Sequence, residues 1–341
     1  MLFMSACALA TPGFPGTGGI GGVVSSLDGT PIGGASVHTP TGASTTTRAD
    51  GSFSINGLQP TDRLAVTIIT QDYVRGSVVY PVRAGQTLTR PVKLIPRARP
   101  VVIDTRTGGE ISLPREGRVS IPANAFQAED GRVVQGPVSV RMTYIDPLDA
   151  AQVAAAPGDY TALGTDGGLQ QLETFGMIEM AVVDSQGRSL RLVRGTGVNI
   201  GWPSSREVRV SDTRGIYNFD EGVARWIASG PNRTFGGTLP YTPPRIGLGG
   251  VELWNDDDPL PRVCISVTVN RSAGTIIENV TATGVSYSGT SSAWTDGSKT
   301  ARINVKPNSV VDLSVGSPYA HQQITSPGPG SGCPHWATLS H

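Results

Sequence analysis

Residues 22–37, GVVSSLDGTPIGGASV, decide how the rest of the chain is read. β-formers cluster on both sides of Asp28-Gly29, a dipeptide that reverses strands tightly. A second Asp-Gly pair closes TRADGSFSI (residues 47–55), where alternation of period two puts Phe53 and Ile55 on one face. Further strands are predicted over residues 63–70, 76–82 and 89–95. Six or seven short strands in roughly 80 residues is the strand count of a β-sandwich.

Composition extends this reading to the whole chain. It has 341 residues, with 44 glycines and 26 prolines. Many Ser, Thr and Val and few Lys favour short strands joined by tight turns. The fold class expected is all-β, three consecutive sandwiches of transthyretin-like or immunoglobulin-like type, over residues 18–97, 98–260 and 261–341. Lys+Arg and Asp+Glu number 27 each, so no long-range field favours nucleic acid.

The longest apolar run is MLFMSACALA at residues 1–10, far short of the roughly 20 residues that span a bilayer. No basic residue precedes it, unlike an ordinary export signal. Met4-Ser5-Ala6-Cys7 resembles a bacterial lipobox, which would make Cys7 a lipidation site and residues 8–17 a Gly/Pro tether. The other reading of Cys7 is an incidental thiol in a frayed terminus.

Gly16-Thr17-Gly18-Gly19-Ile20-Gly21 satisfies the GxGxxG spacing of dinucleotide-binding turns. Its context argues against that use, because a breaker-rich segment precedes it and a strand, Val23-Val24-Ser25-Ser26, follows. No helix N-terminus is offered to a phosphate. The run reads as a linker.

The first module resembles the carboxypeptidase regulatory-like domain, a transthyretin-like sandwich. The residues that carry the resemblance are Gly22, Val24, Gly29, Pro31, Ile32, Gly34, Ala35 and Val37, then Thr47, Asp50, Gly51, Phe53 and Ile55. They are turn and core positions, so the resemblance implies a fold and a non-catalytic role.

Residues 98–260 predict strands at 117–122, 136–143 and 175–184, with a hairpin return through 190–193. Residues 146–172 form a long connector, a length that in a compact domain usually serves function or a partner. Ile121-Pro122, Ala125-Phe126, Asp130-Gly131, Asp146-Pro147, Pro157-Gly158-Asp159, Gly176-Met177 and Tyr217-Asn218-Phe219-Asp220 resemble a domain of cartilage intermediate layer protein and of bacterial surface proteins. The resemblance implies no enzymatic activity. Asp256-Asp257-Asp258 lacks the spacing of a calcium loop and reads as a solvated turn. Trp202, Trp226 and Trp254 read as buried sandwich aromatics rather than a sugar platform.

The last module echoes the first. Asp50-Gly51-Ser52, Ile55-Asn56, Pro60 and Leu64-Ala65-Val66 recur in order as Asp296-Gly297-Ser298, Ile303-Asn304, Pro307 and Leu313-Ser314-Val315. If Cys7 carries lipid, Cys264 and Cys333 remain as a disulfide pair in this module; the competing reading is two unrelated thiols in a cytosolic protein. His38, His321, His335 and His341 stand alone, without metal-ligand spacing. His335-Trp336 reads as part of a packed terminal strand.

The sequence points to a non-enzyme without cofactor or small-molecule substrate, working outside the cytoplasm in the periplasm or at the cell surface. It would be held at the membrane by an N-terminal anchor and bind other proteins as a scaffold subunit of a membrane complex. An adhesin or carbohydrate-binding module, and a secreted hydrolase, are the rival readings.

Overall fold

Strand β1 (Gly18–Ser26) begins inside the glycine run. The computed structural model describes residues 16–172, 174–193, 195–201, 213–228, 233–234, 239–241, 251–257, 262–270, 278–285, 290–315, 320–330 and 332–340. β1 is the centre of a three-stranded sheet, antiparallel to β4 (Ser52–Leu58) and parallel to β7 (Thr87–Leu94). A Cβ at Gly22 would strike the Arg90 carbonyl oxygen and the Phe53 ring, so close packing requires the glycine there. The GxGxxG run is thus central strand from Gly18 onward, not linker.

The facing sheet takes β2 (Ser36–His38), β3 (Ser44–Thr46), β5 (Thr61–Ile69) and β6 (Gly76–Val82) in the order β3-β2-β5-β6. Alternation delivers Ile20, Val24, Phe53, Val66, Tyr80 and Val92 to one core between the sheets.

The Asp-Gly turns sit at the corners of this sandwich. Asp28 accepts from the Thr30 N–H at 3.0 Å and Asp50 from the Ser52 N–H at 2.9 Å. Each turn closes a short antiparallel reversal, with Ser25 opposite Pro31 in the first and Arg48 N–H donating to the Ser52 carbonyl in the second, and also carries the chain from one sheet to the other. Sequence alone reads the reversal but not the change of layer, because the turn chemistry is the same in both cases.

The second unit is larger. β8 (Val101–Asp104), β12 (Pro137–Ile145), β15 (Thr174–Val183), β18 (Thr213–Asp220), β19 (Arg225–Ala228) and β22 (Val251–Asp257) belong to its main sheet. β13 (Thr161–Leu163) and β14 (Leu169–Gln171) extend it, in the order β14-β13-β19-β18-β22-β15-β12-β8, and β20 (Arg233–Thr234) pairs with β18. The opposing sheet runs β21-β17-β10-β9, from β9 (Gly109–Ser112), β10 (Arg118–Ile121), β17 (Val198–Gly201) and β21 (Leu239–Tyr241). β15 turns back through a hairpin closed by Asp184 N–H to Arg188 O, Leu190 N–H to Val182 O and the antiparallel Val183–Ser189 bridge, and residues 191–192 then leave it for another layer, where β16 (Arg191–Leu192) pairs with β11 (Phe126–Gln127).

The 146–172 connector is built structure, not loop. It contains α1 (Ala150–Ala155), whose N-cap Asp149 accepts from the Ala151 and Gln152 N–H groups, and then β13 and β14. Four of the six helical residues are alanine, and so short a helix with Val153 as its one large apolar side chain gives too weak a periodicity to be read from sequence.

The third unit repeats the first strand for strand. β23 (Val263–Asn270) is antiparallel to β26 (Thr300–Val305) and parallel to β29 (His335–Ser340), as β1 is to β4 and β7. The other sheet is β25-β24-β27-β28, from β24 (Asn279–Gly284), β25 (Thr290–Trp294), β27 (Val310–Val315) and β28 (Ala320–Thr325). The Asp296 turn, accepting from the Ser298 N–H at 2.9 Å, makes the corner that Asp50 makes in the first sandwich. The chain is nearly all-β.

Candidate functional site at the junction of the sandwiches

The main sheet of the second unit has two differently used faces. Met142, Tyr144, Ile178 and Met180 point to the core against the opposing sheet. The alternate residues Ile145, Met177 and Glu179 point to the first sandwich. Val74 and Ile95 of the first sandwich join Ile145, Val153, Tyr160 and Trp226 in one buried cluster. Ala65 and Val79, on the outer face of β5 and β6, meet Ala224 and Phe219. Buried apolar clusters distinct from either unit's own core therefore join the two units.

Three arginines of the first sandwich and its exit segment clamp this junction. Arg63, where the β5–β6 ladder is interrupted, donates to both carboxylate oxygens of Asp159 at 2.8 Å and to the Ala224 carbonyl at 2.6 Å. Arg75 meets Glu221 at 3.2 Å. Arg97 donates Nε and Nη2 to one Glu179 oxygen at 2.8 and 2.7 Å, and Nη1 to the Gln71 carbonyl. The Gly158 N–H donates to the Ser77 carbonyl at 2.7 Å, so the connector caps the edge of β6.

The two buried carboxylates titrate in opposite directions. Burial raises Asp159, but the Arg63 hydrogen bonds and charge, with Thr161, outweigh it and hold the carboxyl below its ordinary value. At Glu179 burial wins over Arg97, Thr143 and Arg141, and the carboxyl is raised. Both groups are occupied in holding sheets together.

The sequence-predicted residues scatter. Trp226 is fully buried and edge-on to Phe219, with ring centroids 5.5 Å apart, so it packs rather than lines a surface. Asp256 and Asp257 lie in β22 rather than in a solvated turn, and Asp258 falls outside the described residues. Cys7, Trp202, His341 and the Trp254 side chain also lie outside them. His321 stands 3.7 Å from Asp312, and His335 contacts the Thr338 hydroxyl at an exposed site. His335 and Trp336 belong to β29, but both are exposed, so the terminal strand is less packed there than its sequence suggests. Cys264 and Cys333, 69 positions apart, have Cα atoms 4.6 Å apart, a separation a disulfide spans. Among the described residues no group of three or more His, Cys, Asp or Glu could hold a metal ion. Among them, too, no helix is long and apolar enough to cross a membrane.

The sequence reading does not single out Arg63, Arg97 or Glu179, and takes Asp159 only as part of the Pro157-Gly158-Asp159 motif, not as an ion-pair partner. One signal was available: Glu179 interrupts the apolar run FGMIEMAVV, and a carboxylate in a two-faced buried strand needs a cation.

No family model matches the chain. Among curated proteins, this chain is similar to the cartilage intermediate layer proteins. Cartilage intermediate layer protein 2 of Mus musculus is 28% identical over 200 residues, which is 56% of this chain and 17% of the relative. The Homo sapiens protein 2 is 29% identical over 205 residues, 54% of this chain and 18% of the relative. The chain thus spans less than a fifth of the curated relatives it matches. Among solved structures, the Bacillus anthracis TIE protein overlaps 95% of this chain and 51% of its own at 11% identity and a TM-score of 0.22. BcpA*(D312A), the major pilin subunit of Bacillus cereus, overlaps 95% of this chain and 99% of its own at 9% identity and 0.21.

Proposed function

We propose that this chain is a non-catalytic structural protein that works outside the cytoplasm as a rigid scaffold for other proteins. The observation that carries the reading is the junction: Asp159 and Glu179, the carboxylates set deepest between two units, are both committed to arginines that lock one sandwich to the next. Such clamps cost desolvation and give a fixed geometry, which suits presentation of surfaces rather than turnover. The resemblance of the first module to carboxypeptidase regulatory-like domains, and the similarity of the chain to proteins named for a cartilage layer, support the same direction.

In this reading the chain comprises three modules divided near residues 97 and 260. Cys7 carries lipid and ties the chain to a membrane, and Cys264 and Cys333 are bonded in an oxidising compartment. The partner is another protein, a subunit of a membrane-associated assembly met through exposed strand edges and loops. Extraction from native membranes in mild detergent, followed by identification of co-migrating proteins, tests it. A defined set of membrane subunits is the expected result, and elution of the chain alone contradicts it. Intact-mass measurement tests the anchor: loss of residues 1–6 with added acyl mass supports it, and an unmodified Cys7 removes it.

A further inference from the structure

Arg90 breaks the apolar alternation of β7. Leu88, Val92 and Leu94 point into the first sandwich, and Arg90 points the same way at the open seam between the edge strands β6 and β7. It is 2% exposed. One guanidinium nitrogen donates to the Val79 carbonyl on the β6 edge, and Nε is buried without a hydrogen-bond partner. The guanidinium lies 5.1 Å from the Tyr80 ring centre and 4.1 Å from that of Trp294, on β25 of the third sandwich. Desolvation pushes Arg90 down to about 10, opposed by Tyr80 and Asp159, so the group is still a cation at neutral pH. Trp294 is thus the lid on a buried, under-satisfied charge.

The third sandwich meets the rest of the chain differently from the way the first two meet each other. Among the described residues no buried apolar cluster joins it to the other units, its own core drawing on residues 263–339, whereas one cluster running from Val74 to Trp226 joins the first two. It rests β24 and β25 against α1 and places Trp294 over Arg90. Trp294 Nε1 is also buried without a hydrogen-bond partner. Both sides of this contact leave polar groups unsatisfied that water would satisfy on separation.

We propose that the third sandwich is a latched module: Trp294 closing on Arg90 holds it over the β6/β7 seam, and its release leaves the first two sandwiches joined. The device goes beyond the scaffold reading, since it assigns the moving part and the contact that sets it. Under load or on partner binding, this junction opens first and uncovers a cationic strand edge.

Small-angle scattering on the intact chain tests the latch with three variants. Trp294→Ala and Arg90→Met should each increase the radius of gyration by about 10% or more over the parent, as expected when one compact module swings away from two others. Trp294→Phe, which keeps a ring over the guanidinium, should scatter as the parent does. Parent-like scattering from both disrupting variants overturns the proposal, as does expansion in Trp294→Phe. Arg90→Met alters no residue of the third sandwich, so it reads the latch even if Trp294→Ala disturbs that module's own fold. Unfolding in both variants also overturns it, because the contact would then belong to folding of the whole rather than to a latch.

Discussion

Arg63 and Asp159, 96 positions apart in sequence, face each other fork to fork, with both guanidinium–carboxylate contacts at 2.8 Å. Neither side chain is more than about a fifth exposed, at 21% and 17%, and Arg63 also donates to the Ala224 carbonyl. Removing one partner strands the other charge. Asp159→Asn should therefore cost about 3 kcal/mol in urea unfolding, whereas replacing both by Met and Leu should cost clearly less. Equal losses from the single and double replacements would contradict a buried pair.

The same carboxyl sets an acid limit. Its folded value lies below the unfolded one, so its contribution is present above the unfolded value and lost as pH falls through the folded value. Melting temperature should drop below about pH 4, the ordinary carboxylate range, and Asp159→Asn should flatten that drop. Glu179 runs the other way, because its folded value is raised and its ionisation opposes folding as pH rises through that value. Glu179→Gln should remove this second slope and leave the acid limb of Asp159 in place; a titration of melting temperature against pH separates the two.

Cys264 opens β23 and Cys333 stands just before β29, so a bond between them closes a loop of 69 residues around the third sandwich. By chain entropy it would contribute about 4 kcal/mol. A Cys264→Ser, Cys333→Ser variant should lower the unfolding midpoint of this sandwich and leave the junction of the first two unchanged. Free-thiol titration of the parent that finds both cysteines reactive would remove the bond from the account.

Two glycines offer a matched comparison. A Cβ at Gly22 would strike the Arg90 carbonyl and the Phe53 ring, and one at Gly297 would meet open space. Gly22→Ala should cost about 1–3 kcal/mol through overpacking, and Gly297→Ala should stay within about 0.5 kcal/mol. Equal effects in thermal melts would show that β1 does not run where the structure has it.

What was legible in the sequence was local. Period-two alternation located Phe53 and Ile55, the Asp-Gly pairs located corners, and the faint echo around Asp50 and Asp296 corresponds to two sandwiches of identical strand order. What was not legible depends on contacts far apart in the chain. Nothing near Asp159 names Arg63, and nothing near Arg90 names Trp294. The connector reads as a loop because its one helix has only six residues, and its ordering comes from Val153 and Tyr160 packing into a core that the first sandwich helps to build. The glycine run reads as linker because a strand of glycines carries no alternation, although its neighbours demand it.

The central claim is that the first two sandwiches act as one rigid body. Native-state hydrogen exchange on the intact chain measures this directly, comparing the slowest amides of β5 with those of β15. The account predicts one shared opening free energy for both strands, lowered together by Asp159→Asn. Protection that persists in β5 after β15 has fully exchanged, or a loss confined to one strand in the variant, would contradict it.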